Sequence, residues 1–291
     1  MKPDVVVVTD ASAAVPPEFI DKYGVVTVSL HVTMDGSDRS ETGIELGPFY
    51  ERLRTRDKLP TTSPASTAEI IRAYERAGKF AHNIVSIHLT SAFSATYNAA
   101  VEASQYMMQK HPDMRIEVVD SYTVESGEGL IAIEAASLAS NGASFADVLK
   151  KTFEVRRQLC SLYAFETLFF RDKGGRIYKA KPWASREEQE GPAFKSMIEV
   201  DESTKGTVSR AGRACTKHTL LLEAVAMTKE RVGDHALRGS IVHANAAWDA
   251  AFLKAALEKE IRCDALFVSE ASAGTAVQNG EGYVTFAFYP V

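Results

Sequence analysis

The sequence predicts an α/β protein in two parts. Residues 1–155 form a three-layer α/β/α domain around a parallel sheet, and residues 156–291 a two-layer α/β domain with a mixed sheet. Three observations predict it. Short β-branched runs alternate with amphipathic stretches through the first half, the pattern of parallel strands joined by crossover helices. After about residue 155, strand-like pieces are spaced by longer helices and a charged loop. The length of 291 residues corresponds to roughly two domains of ~150.

Val5 to Val8 is a wholly apolar run and reads as a strand buried on both faces. Val25 to Val32 reads as a second strand, Asn83 to Leu89 as a third and Arg115 to Val119 as a fourth. Helical spacing links Phe49, Tyr50 and Leu53; then Ile70, Ile71 and Tyr74; then Tyr97, Val101, Ser104 and Met108. Ser66, with Glu69 three residues on, is a capping box that opens the second of these helices. Gly127 to Gly142 reads as a helix carrying Leu130, Ile131, Ile133 and Ala135. Ser144 caps the next, with Phe145, Val148 and Leu149 on its apolar face.

In the second half the strand-like pieces are Lys195–Val200, Gly206–Ser209, Ser240–His243, Ala265–Ser269 and Tyr283–Phe288. Asp201 to Gly206 reads as a hairpin turn. Helices are expected from about Leu220 to Glu230 and from Trp248 to Glu260, on one face of the mixed sheet. Arg186 to Glu190 reads as a solvated loop.

Composition narrows the function. With 33 Lys and Arg against 38 Asp and Glu, the net charge is −5, which disfavours nucleic acid as a partner. No apolar run approaches the roughly 18 residues that span a bilayer, so no stable membrane insertion is expected. Cys160, Cys215 and Cys263 are an odd set, far apart, which points to a reducing, cytoplasmic setting. No P-loop, nucleophile elbow, His-Glu-x-x-His or Cys-x-x-Cys is present, so no metal site and no cofactor are expected. His88 lies within an apolar strand and reads as a packed core residue.

Three strands end in polar clusters: Asp10-Ala11-Ser12, Thr90 to Ser94, and Asp120 to Thr123. In an open parallel sheet these carboxyl ends gather at one edge, where ligands bind. Helix capping and ligand binding both account for such loops. Thr62 and Ser63 precede the Ser66 cap and are not explained by it. Ser91 and Ser94 follow a strand and open a helix, where free N–H groups and the helix dipole favour an anion. Gly174-Gly175-Arg176-Ile177 follows Leu168-Phe169-Phe170; it reads either as a plain turn or as a loop that presents Arg176.

In this order these segments resemble the DegV family of bacterial fatty-acid-binding proteins, over nearly the whole chain. Thr9-Asp10-Ala11-Ser12 resembles the family's first loop, and Ser29-Leu30 lies where the family has Pro-Leu. Thr62-Ser63 matches the start of its T-S-x-P-S, and Ser91 to Tyr97 resembles its S-x-L-S-G-T-Y. Asp120-Ser121 and Gly174 to Ile177 match outright. The resemblance implies a non-enzymatic, cytoplasmic carrier that holds one long-chain fatty acid in a tunnel between two domains. It implies that the head group is bound by Thr62 and Ser94, with Ser63 and Ser91 close by, and presented to a fatty-acid kinase. Gly174, Gly175, Arg176 and Ile177 are the implied loop near ligand or kinase. A buried tail contributes ~0.8 kcal/mol per methylene.

One motif departs. The family carries His-x-Gly-Pro-Gly where this chain has Ser269 to Thr275, which puts Glu270, or Ala271 on a one-residue shift, in place of the histidine. An ionised Glu270 repels a ligand carboxylate. A neutral or differently polar lipid is therefore one expectation. An interaction protein with altered or lost ligand binding is another. A third is an acyl-transfer enzyme using Ser91 or Ser94, which lacks an evident base.

Overall fold

The computed structural model describes residues 3–55, 58–173 and 194–291. Gly174 to Ile177 and the charged segment Arg186 to Glu190 lie outside the described residues.

The wholly apolar run becomes β1 (Val5–Asp10), the centre of a parallel sheet. Its neighbours are β2 (Val26–Val28) on one side and β6 (Asn83–His88) on the other, with β7 (Arg115–Asp120) beyond β6. Helices cover both faces. On one face α3 (Thr67–Ala77) and α4 (Thr96–Lys110) pack against Val6, Val8 and Ile84. On the other lie α5 (Ser126–Ser140) and α6 (Phe145–Gln158), against Val5, Val7, Val85 and Ile87. The capping box holds: Ser66 Oγ accepts from Glu69 N at 3.3 Å and Glu69 Oε2 accepts from Ser66 N at 2.9 Å.

The stretch read as one strand from Val25 to Val32 is two. After β2 the chain leaves the parallel sheet at Ser29-Leu30, and β3 (His31–Met34) joins β4 (Ser37–Ser40) and β5 (Thr61–Ser63) in a separate antiparallel sheet. Leu30 N donates to the buried Glu41 carboxylate at 3.1 Å, which anchors that break between the strands. In α4 the buried stripe is Ala100, Ala103, Ser104 and Met107, beside the expected one. The small residues let Tyr74 of α3 approach closely enough to donate to the Ala100 carbonyl at 3.3 Å.

The second sheet has six strands in the order β10-β9-β8-β13-β11-β12. They are β8 (Cys160–Ala164), β9 (Lys195–Glu199), β10 (Ser209–Ala214), β11 (Leu237–His243), β12 (Cys263–Glu270) and β13 (Val284–Pro290). Among the described residues, only β11 and β12 run parallel in this sheet, so it is mixed. After α2 (Leu46–Thr55) in the first half and the short α7 (Phe169–Lys173), α8 (Lys217–Val232) and α9 (Ala247–Glu260) cover one face of this sheet. The other face is not bare. Helix α5 is buried all round, with Leu130 to Ala136 all enclosed, and packs at once on β1 and on Ala287 and Tyr289 of β13. A helix serving two sheets needs apolar side chains on every side.

The expected turn at Asp201 to Gly206 joins β9 to β10 antiparallel, with Asp201 capping a short 3-10 turn. Gly206 has φ of 68°, and a Cβ there would meet Thr90 Oγ1 at 2.1 Å. The turn thus docks against the loop after β6, where Thr90 Oγ1 donates to the Gly206 carbonyl at 3.2 Å. Among the described residues, no helix is long and apolar enough to cross a membrane.

Candidate functional site

Three loops at the carboxyl edge of the parallel sheet meet α7 and α10 (Ala273–Asn279) around one cavity. Ser12 comes from the turn after β1, Leu89 and Phe93 from the loop after β6, and Val124 and Glu125 from the loop after β7. Leu30, Glu41 and Thr62 come from the small sheet and its flanks. Arg171 belongs to α7, and Gly274, Thr275, Gln278 and Asn279 to α10. The cavity is narrow: its room for water-sized occupants is about 30 Å³, and the atom-free space reaches about 430 Å³ only when its open mouth is included.

Thr62 is half-buried on this wall. Its Oγ1 accepts from Gln278 Nε2 at 2.8 Å, which leaves its own proton for a ligand. Ser63, its neighbour on β5, is exposed. Phe93 reaches the cavity, but Ser94 beside it is not among the lining residues; its hydroxyl is 2.9 Å from Thr96 Oγ1 and accepts from Thr96 N at 3.2 Å. Ser91 is exposed, and its N–H donates to Asp120 Oδ2 at 3.2 Å. Glu270 ends β12 beside His243 of β11, is exposed, and does not line the cavity.

Glu41 takes the polar contacts at the start of α10. Its Oε2 accepts from Ser272 Oγ at 2.6 Å and Gly274 N at 3.1 Å, and burial pushes its carboxyl up in spite of these bonds. Behind Ser12 lies a sealed polar cluster. Asp10 Oδ2 accepts from Leu89 N at 3.2 Å and pairs with His88 Nδ1 at 3.1 Å, while His88 Nε2 meets Ser86 Oγ at 2.8 Å. Burial alone would raise Asp10; the bond and charge of His88, with Ser12, outweigh it and hold the carboxyl below its ordinary value. Burial and the neighbouring Asp10 charge push the Glu128 carboxyl well up; Thr9 Oγ1 donates to its Oε1 at 3.1 Å, and Ser12 Oγ, which donates to Asp10, lies 3.1 Å from its Oε2.

Among the described residues, neither the Ser91 nor the Ser94 hydroxyl is hydrogen-bonded to a histidine or a carboxylate. Both His88 ring nitrogens are engaged inside the strand layer, as expected of a core histidine. Elsewhere, Cys160, Glu199 and Asp201 place ligand atoms within 4.8 Å of one another. Arg231 Nη1 already donates to Glu199 Oε1 at 2.5 Å, and burial pushes the Cys160 thiol up, so a cation and a neutral thiol fill the positions a metal would need.

Glu41, Glu125, Arg171, Gln278 and Asn279 escaped the reading of the sequence. A charged residue beside an apolar run looks like a solvated one until burial is known. The one available signal was Glu125 and Glu128 at the head of an otherwise apolar helix.

The comparisons with known proteins agree with one another. The family model described as "Uncharacterised protein, DegV family" matches residues 4–291. A DegV domain-containing protein of Clostridium perfringens is 30% identical over 286 residues, 97% of each chain. A DegV family protein from Thermus thermophilus, solved for its fatty-acid binding, superposes with a TM-score of 0.88 at 24% identity, covering 99% of this chain and 100% of that one. A DegV family protein from Eubacterium eligens loaded with heptadecanoic acid gives 0.85 at 16% identity, with 99% and 100% covered.

Proposed function

This chain belongs to the DegV family, and on that premise we propose that it is a non-catalytic carrier which holds a fatty acid or related lipid in the cavity at the sheet edge. The observation that carries this reading is the wall itself. Leu30, Leu89, Phe93 and Val124 offer apolar surface for a tail, and Thr62 offers a hydroxyl proton at the half-buried rim for a head group. Fatty-acid binding by structural neighbours of the same fold supports it. In this account residues 1–155 and 156–291 are the two lobes flanking the ligand. Ser94, Ser63 and Ser91 complete the head-group end on ligand binding, and the loop from Gly174 to Ile177 meets the partner. The partner is a fatty-acid kinase to which the carboxylate is presented, a role that rests on the family resemblance. The exposed position of Glu270 supports a carboxylate ligand, because solvent screens the repulsion between them. Three unpaired cysteines fit a cytoplasmic setting.

Thr62→Val keeps the shape and removes the hydroxyl. Displacement of a fluorescent fatty acid is expected to show Kd weakened about tenfold, ~1.4 kcal/mol, the worth of one hydrogen bond to a charged group. An unchanged Kd would remove Thr62 from the head-group site.

A further inference from the structure

The inner wall of the cavity is not the hydrocarbon surface that a plain alkyl tail needs. Arg171 is 3% exposed and Glu125 0%, and both line the cavity. Asn279 stands between them: Arg171 Nε donates to Asn279 Oδ1 at 2.8 Å, and Asn279 Nδ2 donates to Glu125 Oε1 at 2.6 Å. That bridge uses one atom of each ionisable group. Among the described residues, Arg171 Nη1, Glu125 Oε2 and the neighbouring Gln278 Oε1 are buried without a hydrogen-bond partner. Tyr283 stands near Glu125, but its hydroxyl donates to Thr275 Oγ1 at 3.2 Å. An unmet buried polar atom is costly, and more so when charged, so folded proteins seldom leave three on one wall.

Both groups are also held firmly in place. The rings of Phe165, Phe93 and Tyr163 surround the Arg171 guanidinium at 5.2, 5.4 and 5.7 Å. Glu125 has φ of 52° and ψ of −119°, a strained backbone state for a non-glycine residue, of a kind that recurs at ligand sites. Burial pushes the Glu125 carboxyl up to about 8, against the pull of the Arg171 charge, so near neutrality it carries a proton. Because Oε1 accepts from Asn279, that proton sits on Oε2. Beside the unpartnered Gln278 Oε1 acceptor, the wall therefore offers two hydrogen-bond donors, one of them cationic, which ask for an accepting oxygen.

We propose that the acyl ligand of this protein carries a second oxygen function along or at the end of its chain, a hydroxyl, keto or carboxylate oxygen, which accepts hydrogen bonds from Arg171 Nη1 and Glu125 Oε2. This rests on the reading that the cavity holds an acyl ligand, and it names the class of that ligand. A plain alkyl tail would strip water from both donors and give nothing back. A site built to meet an oxygen thus discriminates strongly against the analogue that lacks it.

The test is a ranking of four ligands of matched length on the full chain by isothermal titration: a plain saturated acid, a mid-chain hydroxy acid, a mid-chain keto acid and an α,ω-dicarboxylic acid. At least one oxygenated ligand is expected to bind ~tenfold or more tightly than the plain acid, about 1.4 kcal/mol. A hydroxy or keto acid ranking first identifies a neutral oxygen; the dicarboxylic acid ranking first identifies an anionic one. Arg171→Met is expected to abolish the preference, and Arg171→Lys to keep part of it. The wild-type ranking alone decides should Arg171→Met fail to fold. Equal binding of all four overturns the inference and leaves the carrier reading standing, as does an Arg171→Met protein that loses the plain acid as fully as the others. No binding of any of the four removes the carrier reading, and this inference with it.

Discussion

Asp10→Ala is expected to destabilise the fold by roughly 3–5 kcal/mol, the range seen when one partner of a buried charged network is removed. Asp10 is fully buried at the end of β1. One carboxylate oxygen serves Leu89 N and His88 Nδ1 on the neighbouring β6 chain, and the other serves Ser12 N at 3.2 Å and the Ser12 hydroxyl. It therefore ties the central strand to its neighbour where the ligand loops diverge. Alanine would leave a ring nitrogen and two backbone N–H groups buried and unpaired, each costing on the order of 1–3 kcal/mol. Urea unfolding followed by circular dichroism measures the loss. Asp10→Asn, which keeps the shape and an acceptor, is expected to lose less. A loss below about 1 kcal/mol for the alanine variant would show that the network is not what joins these strands.

Glu125→Gln is expected to remove a large part of the protein's alkaline instability. Burial raises the Glu125 carboxyl to about 8 in the folded protein, against an ordinary value of 4.5. The folded state thus prefers the protonated form. Stability from this group is fully present below pH 4.5, falls as pH rises from 4.5 toward 8, and is lost above that. The total swing is on the order of 4–5 kcal/mol. Arg171 limits it by favouring the ionised form. The buried phenols Tyr163 and Tyr283 are pushed up in turn by burial and by the Glu125 charge. Glutamine cannot ionise and still accepts from Asn279. Denaturant melts at pH 6 and pH 9 should show the variant gaining on the wild-type protein by about 2–3 kcal/mol at the higher pH. A constant offset between the two would mean that Glu125 is already ionised at pH 6.

The layers of the fold were legible because each residue's task matched its chemistry. Four valines in a row have no place but a strand buried on both faces, and Val5 to Val8 form it. Ser66 and Glu69 cap α3 as their spacing demands. The membership of both halves in one α/β architecture was equally plain, because strand and helix signals alternate. What stayed hidden depends on short elements or on meeting in space. The split of Val25 to Val32 carries no glycine or proline; its cause is Glu41, eleven residues past Leu30. Strand β8 and helix α10 went unread, because five and seven residues carry little periodicity.

The site was legible at its rim and not within. Thr62 stood out because a hydroxyl preceded a cap that did not need it, and it lines the cavity. Ser94 had the same appearance, yet its hydroxyl meets Thr96 at the start of α4, the capping use that such loops equally serve. Arg171, in the mixed-charge stretch Arg171-Asp172-Lys173 before Gly174, drew no reading from the sequence. Only its burial among three aromatic rings, bridged by Asn279 to a glutamate 46 positions earlier in the chain, gives it a role.

The central claim is that the cavity bounded by Thr62, Phe93, Val124 and α10 holds an acyl chain. Native mass spectrometry of the protein taken directly from its cells, followed by solvent extraction and mass analysis of what is released, tests it most directly. The account predicts one acyl ligand per chain, with an oxygen beyond the head-group carboxylate. A protein that carries no lipid and takes up none when offered each acyl class would contradict it.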